Sequence, residues 1–172
     1  MYTKRLFALF FLLALGLGGA VSSFSYQDDE LPPVTLHNIT DLRDEARLAR
    51  EGQRPIMILF AMRGCPWCTF VEEDFLKPML RNERYRSQYV IRRVMTDSYA
   101  SITDFNGEAI SPDKLASRYN ASLTPTLIFI DHQGNVIAPT IRGVANTEFY
   151  GYDLEQGMEI SRKKMQQLVA LN

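Results

Sequence analysis

The sequence predicts an α/β protein with a central mixed β-sheet and helices on both faces. Two short apolar runs, 55–60 and 126–130, have the length and composition of buried central strands. Segments with helical apolar periodicity alternate with the strands, which is the order expected of a largely parallel sheet. A turn signal at 131–135 and the apolar segment 136–141 predict a closing hairpin, which adds an antiparallel edge.

The predicted elements are helix 41–51, strand 55–60, a helix after residue 65, strand 89–95, helix 111–119, strands 126–130 and 136–141, and a last helix toward Leu171. Thr40 can cap the first helix, which is expected to end at Gly52. Pro78 is expected to end or kink the second helix. Residues 98–110 are expected to be irregular, with a turn at Asn106-Gly107, and are either a partner-binding loop or a longer connection.

Helix-capping signals define the two later helices. Ser111 and Pro112 suit the cap and first position of the helix that they begin. Asn146 or Thr147 is expected to cap the last helix, although glycines at 151 and 157 weaken the prediction of its first half.

The N-terminal segment has the layout of a secretory signal peptide. Lys4 and Arg5 precede the apolar run 6–17, and small residues follow. Cleavage is compatible with three positions, after Ala20, Ser22 or Ser25. The apolar run is shorter than the roughly 17–25 residues that a membrane-spanning helix needs, although counting the small residues brings it close to that length. We therefore expect residues 1–25 to be a signal peptide, with an uncleaved membrane anchor as the alternative, and the mature protein to be periplasmic or secreted.

Composition limits the remainder of the chain to one compact domain. The chain has 172 residues, 46% of them apolar and 23% charged. Loss of residues 1–25 removes Lys4 and Arg5 from the 19 basic residues, which leaves 17 basic against 20 acidic side chains and a net charge of −3. This charge argues against nucleic acid as a partner. Residues 26–39 are interpreted as a polar lead-in and 40–172 as the domain.

The two cysteines of the chain form the motif Cys65-Pro66-Trp67-Cys68 between a predicted strand and a predicted helix. Unpaired N–H groups and the positive end of the dipole at a helix start favour a thiolate, which is the form that attacks a disulfide. Pro66 suits the first helical turn because its missing N–H needs no partner there. Trp67 could shield the pair and offer an apolar contact to a partner, or be an ordinary exposed aromatic residue.

Three other chemistries compete for the cysteine pair. Zinc needs four ligands, but the chain has only His37 and His132 besides the cysteines, and both are expected to be solvated. Copper(I) is the better metal candidate because Met57 and Met62 are near in sequence, although such methionines usually fill cores. A cysteine hydrolase would need a placed histidine base, which cannot be assigned. We expect no metal and no bound cofactor.

The order of elements, the Cys-x-x-Cys motif after the first central strand and Thr124-Pro125 before strand 126–130 resemble the thioredoxin superfamily. The stretches 63–68 and 123–131, with Gly134, are similar to exported bacterial members, among which the secreted thioredoxins of sulfur-oxidation systems resemble the chain best. The resemblance implies a thioredoxin-like fold over roughly residues 40–172. It also implies that Cys65 attacks and Cys68 resolves, and that the Thr124–Pro125 bond is cis and its backbone pairs with substrate.

The chain departs from the cytosolic thioredoxin pattern at three places. The buried acid of those proteins falls at Leu59, their Gly-Pro is Pro66-Trp67, and their helix-kinking proline falls at Glu73. Without the buried acid, proton transfer to or from Cys68 would depend on water or on a group such as Glu72 or Arg63. Arg63 could also favour the Cys65 thiolate by its charge, or be a solvated surface residue.

The resulting functional prediction is an exported, monomeric thiol:disulfide oxidoreductase, most simply a reductase of protein disulfides. Nothing in the sequence resembles a flavin or nicotinamide site, so an exported or membrane redox partner must recharge the dithiol. A dithiol oxidase or isomerase, a copper(I)-binding module and a binding protein with a permanent structural disulfide are the alternatives. The direction of electron flow depends on the reduction potential, which residues do not reveal.

Overall fold

The structure, a computed structural model, describes residues 33–170. The predicted signal peptide and cleavage sites therefore lie outside the described residues. The helices are Leu42–Gly52 (α1), Pro66–Val71 (α2), Lys77–Arg81 (α3), Glu83–Gln88 (α4), Pro112–Arg118 (α5) and Thr147–Ala170 (α6). The strands are Ile56–Ala61 (β1), Val90–Met95 (β2), Ile102–Thr103 (β3), Ala109–Ile110 (β4), Thr126–Ile130 (β5) and Ile141–Arg142 (β6). A π turn, Glu72–Leu76, joins α2 to α3.

The main sheet is mixed, as predicted, with the strand order β2-β1-β5-β6. β1 runs parallel to β2, whereas β5 runs antiparallel to both β1 and β6. The expectation of an antiparallel edge on a parallel sheet was therefore wrong, because antiparallel pairing reaches the centre. β5 begins at the end of the sheet where β1 and β2 end. The order of helices and strands in the sequence does not specify this connection.

Helices cover both faces of this sheet, which confirms the predicted layers. Every residue of β1 and β5 is buried, as expected of central strands. One face carries the cluster that includes Leu59, Cys68 and Phe129, packed against residues of α2 and α6. The other carries the cluster that includes Ile58 and Phe60, packed against residues of α1 and α5. The cysteine motif thus lies on the α2 and α6 side of the sheet.

The ends of α1 differ slightly from the prediction. Asp41, not Thr40, is the N-cap, because its side chain accepts a hydrogen bond from the Arg43 N–H at 2.8 Å. Gly52 is the last helical residue, and the left-handed position after it is taken by Gln53, with φ 51°. Asn146 caps α6, since its Oδ1 accepts from the Glu148 N–H at 2.8 Å.

The returning strand at 136–141 was predicted too long. Val136 forms an isolated bridge with Ile130, and the Ile137 N–H bonds to the Phe129 carbonyl at 2.9 Å. Regular pairing with β5 resumes only at Ile141–Arg142. Pro139 lies in the gap and has no N–H for the ladder, which accounts for the interruption.

Residues 98–110 were expected to be irregular, but they contain the antiparallel pair β3–β4. Ile102 is buried against the sheet, and the Thr103 N–H bonds to the Thr40 carbonyl at 2.9 Å. Asp104 accepts two hydrogen bonds from the Arg118 guanidinium, at 2.8 and 2.6 Å, and this pairing lowers the pKa of Asp104. The hairpin is therefore structural, whereas residues 98–101 before it do not take part in its pairing.

The helix that follows the cysteine motif does not end at Pro78. Pro78 is the second residue of α3, and the π turn precedes it. In this turn the Lys77 N–H bonds to the Glu72 carbonyl, five residues back. The proline lacks an N–H for the usual ladder, so the helix widens before it and continues to Arg81.

The end of the polar lead-in pairs with the sheet. The Ile39 N–H bonds to the Arg93 carbonyl at 2.9 Å, and the Arg93 N–H bonds to the His37 carbonyl at 2.9 Å. Leu36 and Ile39 are buried. Within residues 33–170, no helix is both long enough and apolar enough to cross a lipid bilayer.

Candidate redox site

The cysteine motif lies directly beyond the carboxyl end of β1. Residues 62–64 form a short loop in which Gly64 has a φ of +67°, a conformation that favours glycine. Cys65 is then the N-cap of α2, and Pro66 occupies the first helical position. Cys65 and Cys68 form a disulfide with their Cα atoms 5.2 Å apart. The sequence prediction of a cysteine pair at a strand-to-helix junction is confirmed.

The two sulfurs differ in accessibility. Cys68 is 5% exposed and belongs to the core cluster with Leu59 and Val71. Cys65 is only partly buried and packs at the edge of that cluster. A partner molecule can therefore reach Cys65 more easily than Cys68.

Two hydrogen-bond donors face the Cys65 sulfur. The Cys68 N–H donates to Cys65 Sγ at 3.1 Å, and the Thr124 hydroxyl lies 3.9 Å from the same atom. After reduction of the disulfide, these donors would stabilise a thiolate on Cys65 because they favour its charged form. Cys65 is thus the better placed of the two cysteines to be the nucleophile.

The Thr124–Pro125 segment reaches the disulfide because β5 pairs antiparallel with β1. Phe60 near the end of β1 lies opposite Thr126 at the start of β5, so the residues before β5 meet the loop after β1. The Thr124–Pro125 peptide bond is cis, as the resemblance implied. The Pro125 carbonyl accepts a hydrogen bond from the Gly143 N–H at 2.7 Å, which ties this segment to the chain just beyond β6.

Trp67 is 49% exposed, and its ring packs edge-on against Phe70 with the ring centroids 5.9 Å apart. Phe70 in turn contacts Phe75 and Tyr150, so the indole is supported from the core. Pro66 is exposed beside it. Burial raises the pKa of the Tyr150 hydroxyl, which keeps this support uncharged.

The position of the missing acid, Leu59, and the proton-transfer candidate Glu72 have different surroundings. Leu59 is fully buried and lies between Arg93 and Leu127 in the strand register. Glu72 lies one helical turn after Cys68, and its N–H bonds to the Cys68 carbonyl. The Glu72 carboxylate pairs with Arg93 at 2.5 Å and lies 3.7 Å from the Lys77 ammonium. The Glu72 carboxylate thus faces Arg93, the residue of β2 that lies opposite Leu59.

The Arg63 guanidinium is bound to Asp97 and is not left free beside the cysteines. Its Nε lies 3.0 Å from Asp97 Oδ2, its Nη2 donates to the Asp97 carbonyl at 2.9 Å, and its backbone N–H donates to Oδ2 at 3.2 Å. The carboxylate offsets the charge that Arg63 could have offered to a Cys65 thiolate. Asp97 was not predicted as part of the site; its position just after β2, the strand parallel to β1, was the available signal.

The residues of the competing metal interpretations are not brought together. Met57 is fully buried in β1, whereas Met62 is 45% exposed. His37 is exposed beside β2, and His132 is half-buried in the turn after β5. In the part of the chain that the structure describes, no group of three or more histidine, cysteine and acidic side chains is placed to hold a metal ion.

Comparison with known proteins identifies the family. The model of the thioredoxin-like domain family matches residues 42–151, and the chain belongs to this family. Together with the Cys65–Cys68 disulfide, this makes the chain, in general terms, a thiol–disulfide oxidoreductase.

No curated protein sequence matches the chain. Solved structures that are similar include a Malassezia sympodialis thioredoxin, with 14% identity, 73% of this chain and 94% of that chain covered, and a TM-score of 0.49. The Drosophila melanogaster thioredoxin Deadhead has 16% identity, coverages of 70% and 98%, and a TM-score of 0.48. A Helicobacter pylori thioredoxin-fold protein has 18% identity, coverages of 70% and 87%, and a TM-score of 0.45. At these scores the similarities do not bear on substrate or partner.

Proposed function

We propose that this protein is an exported reductase of protein disulfides. The observation that carries the disulfide-exchange activity is the asymmetric disulfide, with a partly exposed Cys65 that receives two hydrogen-bond donors and a buried Cys68. The reducing direction of the proposal rests on the resemblance to secreted thioredoxins. A permanent structural disulfide would not require donors aimed at one sulfur. The substrate class is a polypeptide, because the exposed side chains of Trp67, in the motif, and Leu123, next to Thr124, offer apolar contacts to a peptide chain.

The reaction begins with the dithiol form of the protein. The Cys65 thiolate attacks one sulfur of a substrate disulfide, a mixed disulfide forms, and the other substrate sulfur leaves as a thiolate that takes a proton. Cys68 then loses its proton and attacks Cys65 Sγ. This breaks the mixed disulfide, closes the Cys65–Cys68 disulfide and releases the second substrate thiolate, which also takes a proton. Two electrons pass to the substrate, and an exported or membrane dithiol protein returns them.

Glu72 is the acid to which we assign the Cys68 proton. It lies one turn after Cys68, on the same face of the helix. Arg93, the cross-strand neighbour of Leu59, holds this carboxylate by an ion pair. Glu72 would thus replace a carboxylate that the apolar Leu59 cannot provide.

Exchange by single-cysteine variants tests the assignment of roles. Cys68→Ala should accumulate mixed disulfides with partner proteins, since only the resolving thiol is lost, and Cys65→Ala should accumulate none. The readout is non-reducing electrophoresis of the full chain purified from its native compartment. Trapping by Cys65→Ala but not by Cys68→Ala would falsify the assignment.

The direction of electron flow is tested by the reduction potential of the Cys65–Cys68 pair in glutathione or dithiothreitol buffers. A potential near that of reducing thioredoxins, about −270 mV, is expected for a reductase. A value well above the glutathione poise would make the protein an oxidant, because donors that stabilise the Cys65 thiolate also stabilise the reduced form.

Export is tested separately by N-terminal sequencing of the mature protein. We expect the mature chain to begin after Ala20, Ser22 or Ser25. An intact N-terminus in the membrane fraction would instead indicate a retained anchor, and one in the cytoplasm would exclude export.

A further inference from the structure

The loop after β2 emerges beside the redox site. β1 and β2 are parallel and in register, with Ala61 opposite Met95, so the chain segments that follow them leave the sheet at the same end. Residues 96–101, hereafter the arm, follow β2 directly and precede the structural hairpin β3–β4. The Thr96 N–H donates to the Ala61 carbonyl at 2.8 Å, which places the base of the arm against the start of the redox loop.

The arm is fastened to the redox loop by the Arg63–Asp97 bridge. Arg63 lies two residues before Cys65, and it binds Asp97 through its backbone and through its guanidinium. Ser98 continues the turn, since its N–H bonds to the Met95 carbonyl at 3.0 Å and its hydroxyl accepts from the Ala100 N–H at 3.2 Å. These contacts give the arm a defined position relative to Cys65.

Exposed apolar side chains are concentrated at this end of the sheet. Of the eight large apolar side chains that are exposed among residues 33–170, four lie on segments bordering the disulfide. Their exposed fractions are 45% for Met62, 49% for Trp67, 99% for Tyr99 and 60% for Leu123. Tyr99 lies in the arm, and the strand order β2-β1-β5 places the arm and the Leu123–Thr124 segment on opposite sides of the redox loop. The charges of Arg63 and Asp97 offset each other, so the contact that this surface offers is mainly apolar.

We propose that the arm is a docking element for the substrate polypeptide and that Tyr99 selects substrates that carry a large apolar residue near the reactive cysteine. This inference rests on the proposed function. An aromatic side chain that is almost fully exposed regains apolar burial and ring contact when such a residue packs on it. The substrate chain is then contacted on both sides of the disulfide, by Tyr99 on one side and by Leu123 on the other.

The test uses disulfide-linked peptides in which one phenylalanine is moved from four residues before to four residues after the reactive cysteine, with serine at the other positions. The reduced full chain is the reductant, and bis(2-hydroxyethyl) disulfide is the small substrate without flanking residues. Tyr99→Ser is compared with Tyr152→Ser, the same change at another exposed tyrosine, on α6. Neither side chain is needed for the fold, because both are largely solvated.

At one or more positions, wild type should favour the phenylalanine peptide over the all-serine peptide by about fivefold in the second-order rate constant of reduction. Tyr99→Ser should lower this preference at least threefold and leave turnover of the small disulfide unchanged, while Tyr152→Ser should change neither. Equal preferences in wild type and Tyr99→Ser, with normal reduction of the small disulfide, would refute the docking role of the arm and leave the proposed function intact. Failure of wild type to reduce the small disulfide would overturn both.

Discussion

Replacement of Gly157 by alanine should destabilise the protein even though alanine is the better helix former. A Cβ at this position would lie 2.4 Å from Cε2 and 2.8 Å from Cζ of Phe129. Phe129 is fully buried in β5, which is held between β1 and β6, so its ring cannot move aside freely. The close approach of α6 to the sheet therefore requires glycine.

The magnitude follows from two opposing terms. Overpacking of a core costs about 1–3 kcal/mol, and two contacts below 3 Å place this site near the upper end. Alanine recovers about 0.8–1.0 kcal/mol in helix propensity over glycine. The net loss is about 2 kcal/mol, which lowers Tm by about 4–8 °C in a domain of this size.

Gly151 offers a matched control in the same helix. Its added Cβ would lie 3.2 Å from Cε1 of Phe75, whose ring is only partly buried and can yield. Gly151→Ala should therefore be neutral or slightly stabilising. Urea unfolding of the oxidised proteins, followed by far-UV circular dichroism, gives both free energies. If Gly157→Ala is as stable as wild type or as Gly151→Ala, the packing argument is wrong.

Three further predictions concern proton transfer and stability. Leu59→Asp should add an ionisation to the pH profile of disulfide exchange, because it places a carboxyl opposite Arg93 on the buried-cysteine face. Glu72→Gln should slow resolution of the mixed disulfide by about 10-fold or more, measured by quenched-flow trapping, because the glutamine cannot take the proton. Asp104→Asn should lower the unfolding free energy at pH 7 by about 1–3 kcal/mol through loss of charge-assisted bonds to Arg118. The pKa of Asp104 is lowered in the folded state, so its contribution is present above the unfolded pKa of about 3.9 and is lost as pH falls through the folded value. The two proteins should therefore converge in stability in acid.

Each of these changes has a matched control. The control either places an uncharged side chain at the same position or removes a charge at a different, exposed position. Leu59→Asn should leave the pH profile as in wild type. An unchanged profile in Leu59→Asp would mean that the role of the buried acid is filled elsewhere or is not needed. Glu73→Gln removes only the exposed pair with Lys77 and should leave resolution unaffected. Asp74→Asn, at an exposed position, should not reproduce the stability loss; a constant difference between Asp104→Asn and wild type down to low pH would contradict the ion-pair explanation.

The residues that carry the redox chemistry could be predicted because their signals are local. Cys65 and Cys68 are three residues apart, so any helix start that contains them brings the two sulfurs together. Thr124-Pro125 stands directly before an uninterrupted apolar run, and the resemblance supplied its cis bond. The central strands β1 and β5 were recognisable because burial on both faces removes polar residues from the sequence.

The partners of the charged residues near the site could not be predicted, because they depend on strand register and helix orientation. Arg63 meets Asp97 only because β1 and β2 end together. Glu72 meets Arg93 because the π turn that follows α2 comes within reach of β2.

The sequence by itself determined the order of the main helices and strands, the buried central strands and the reactive cysteine pair, since periodicity and spacing act within a few residues. The tertiary structure alone decided that β5 runs antiparallel beside β1 and that Gly157 is needed against Phe129. It also decided that the arm is bound to the redox loop through Asp97 and Arg63. These features arise between segments that are distant in the chain, where only the packing of the whole domain fixes which residues meet.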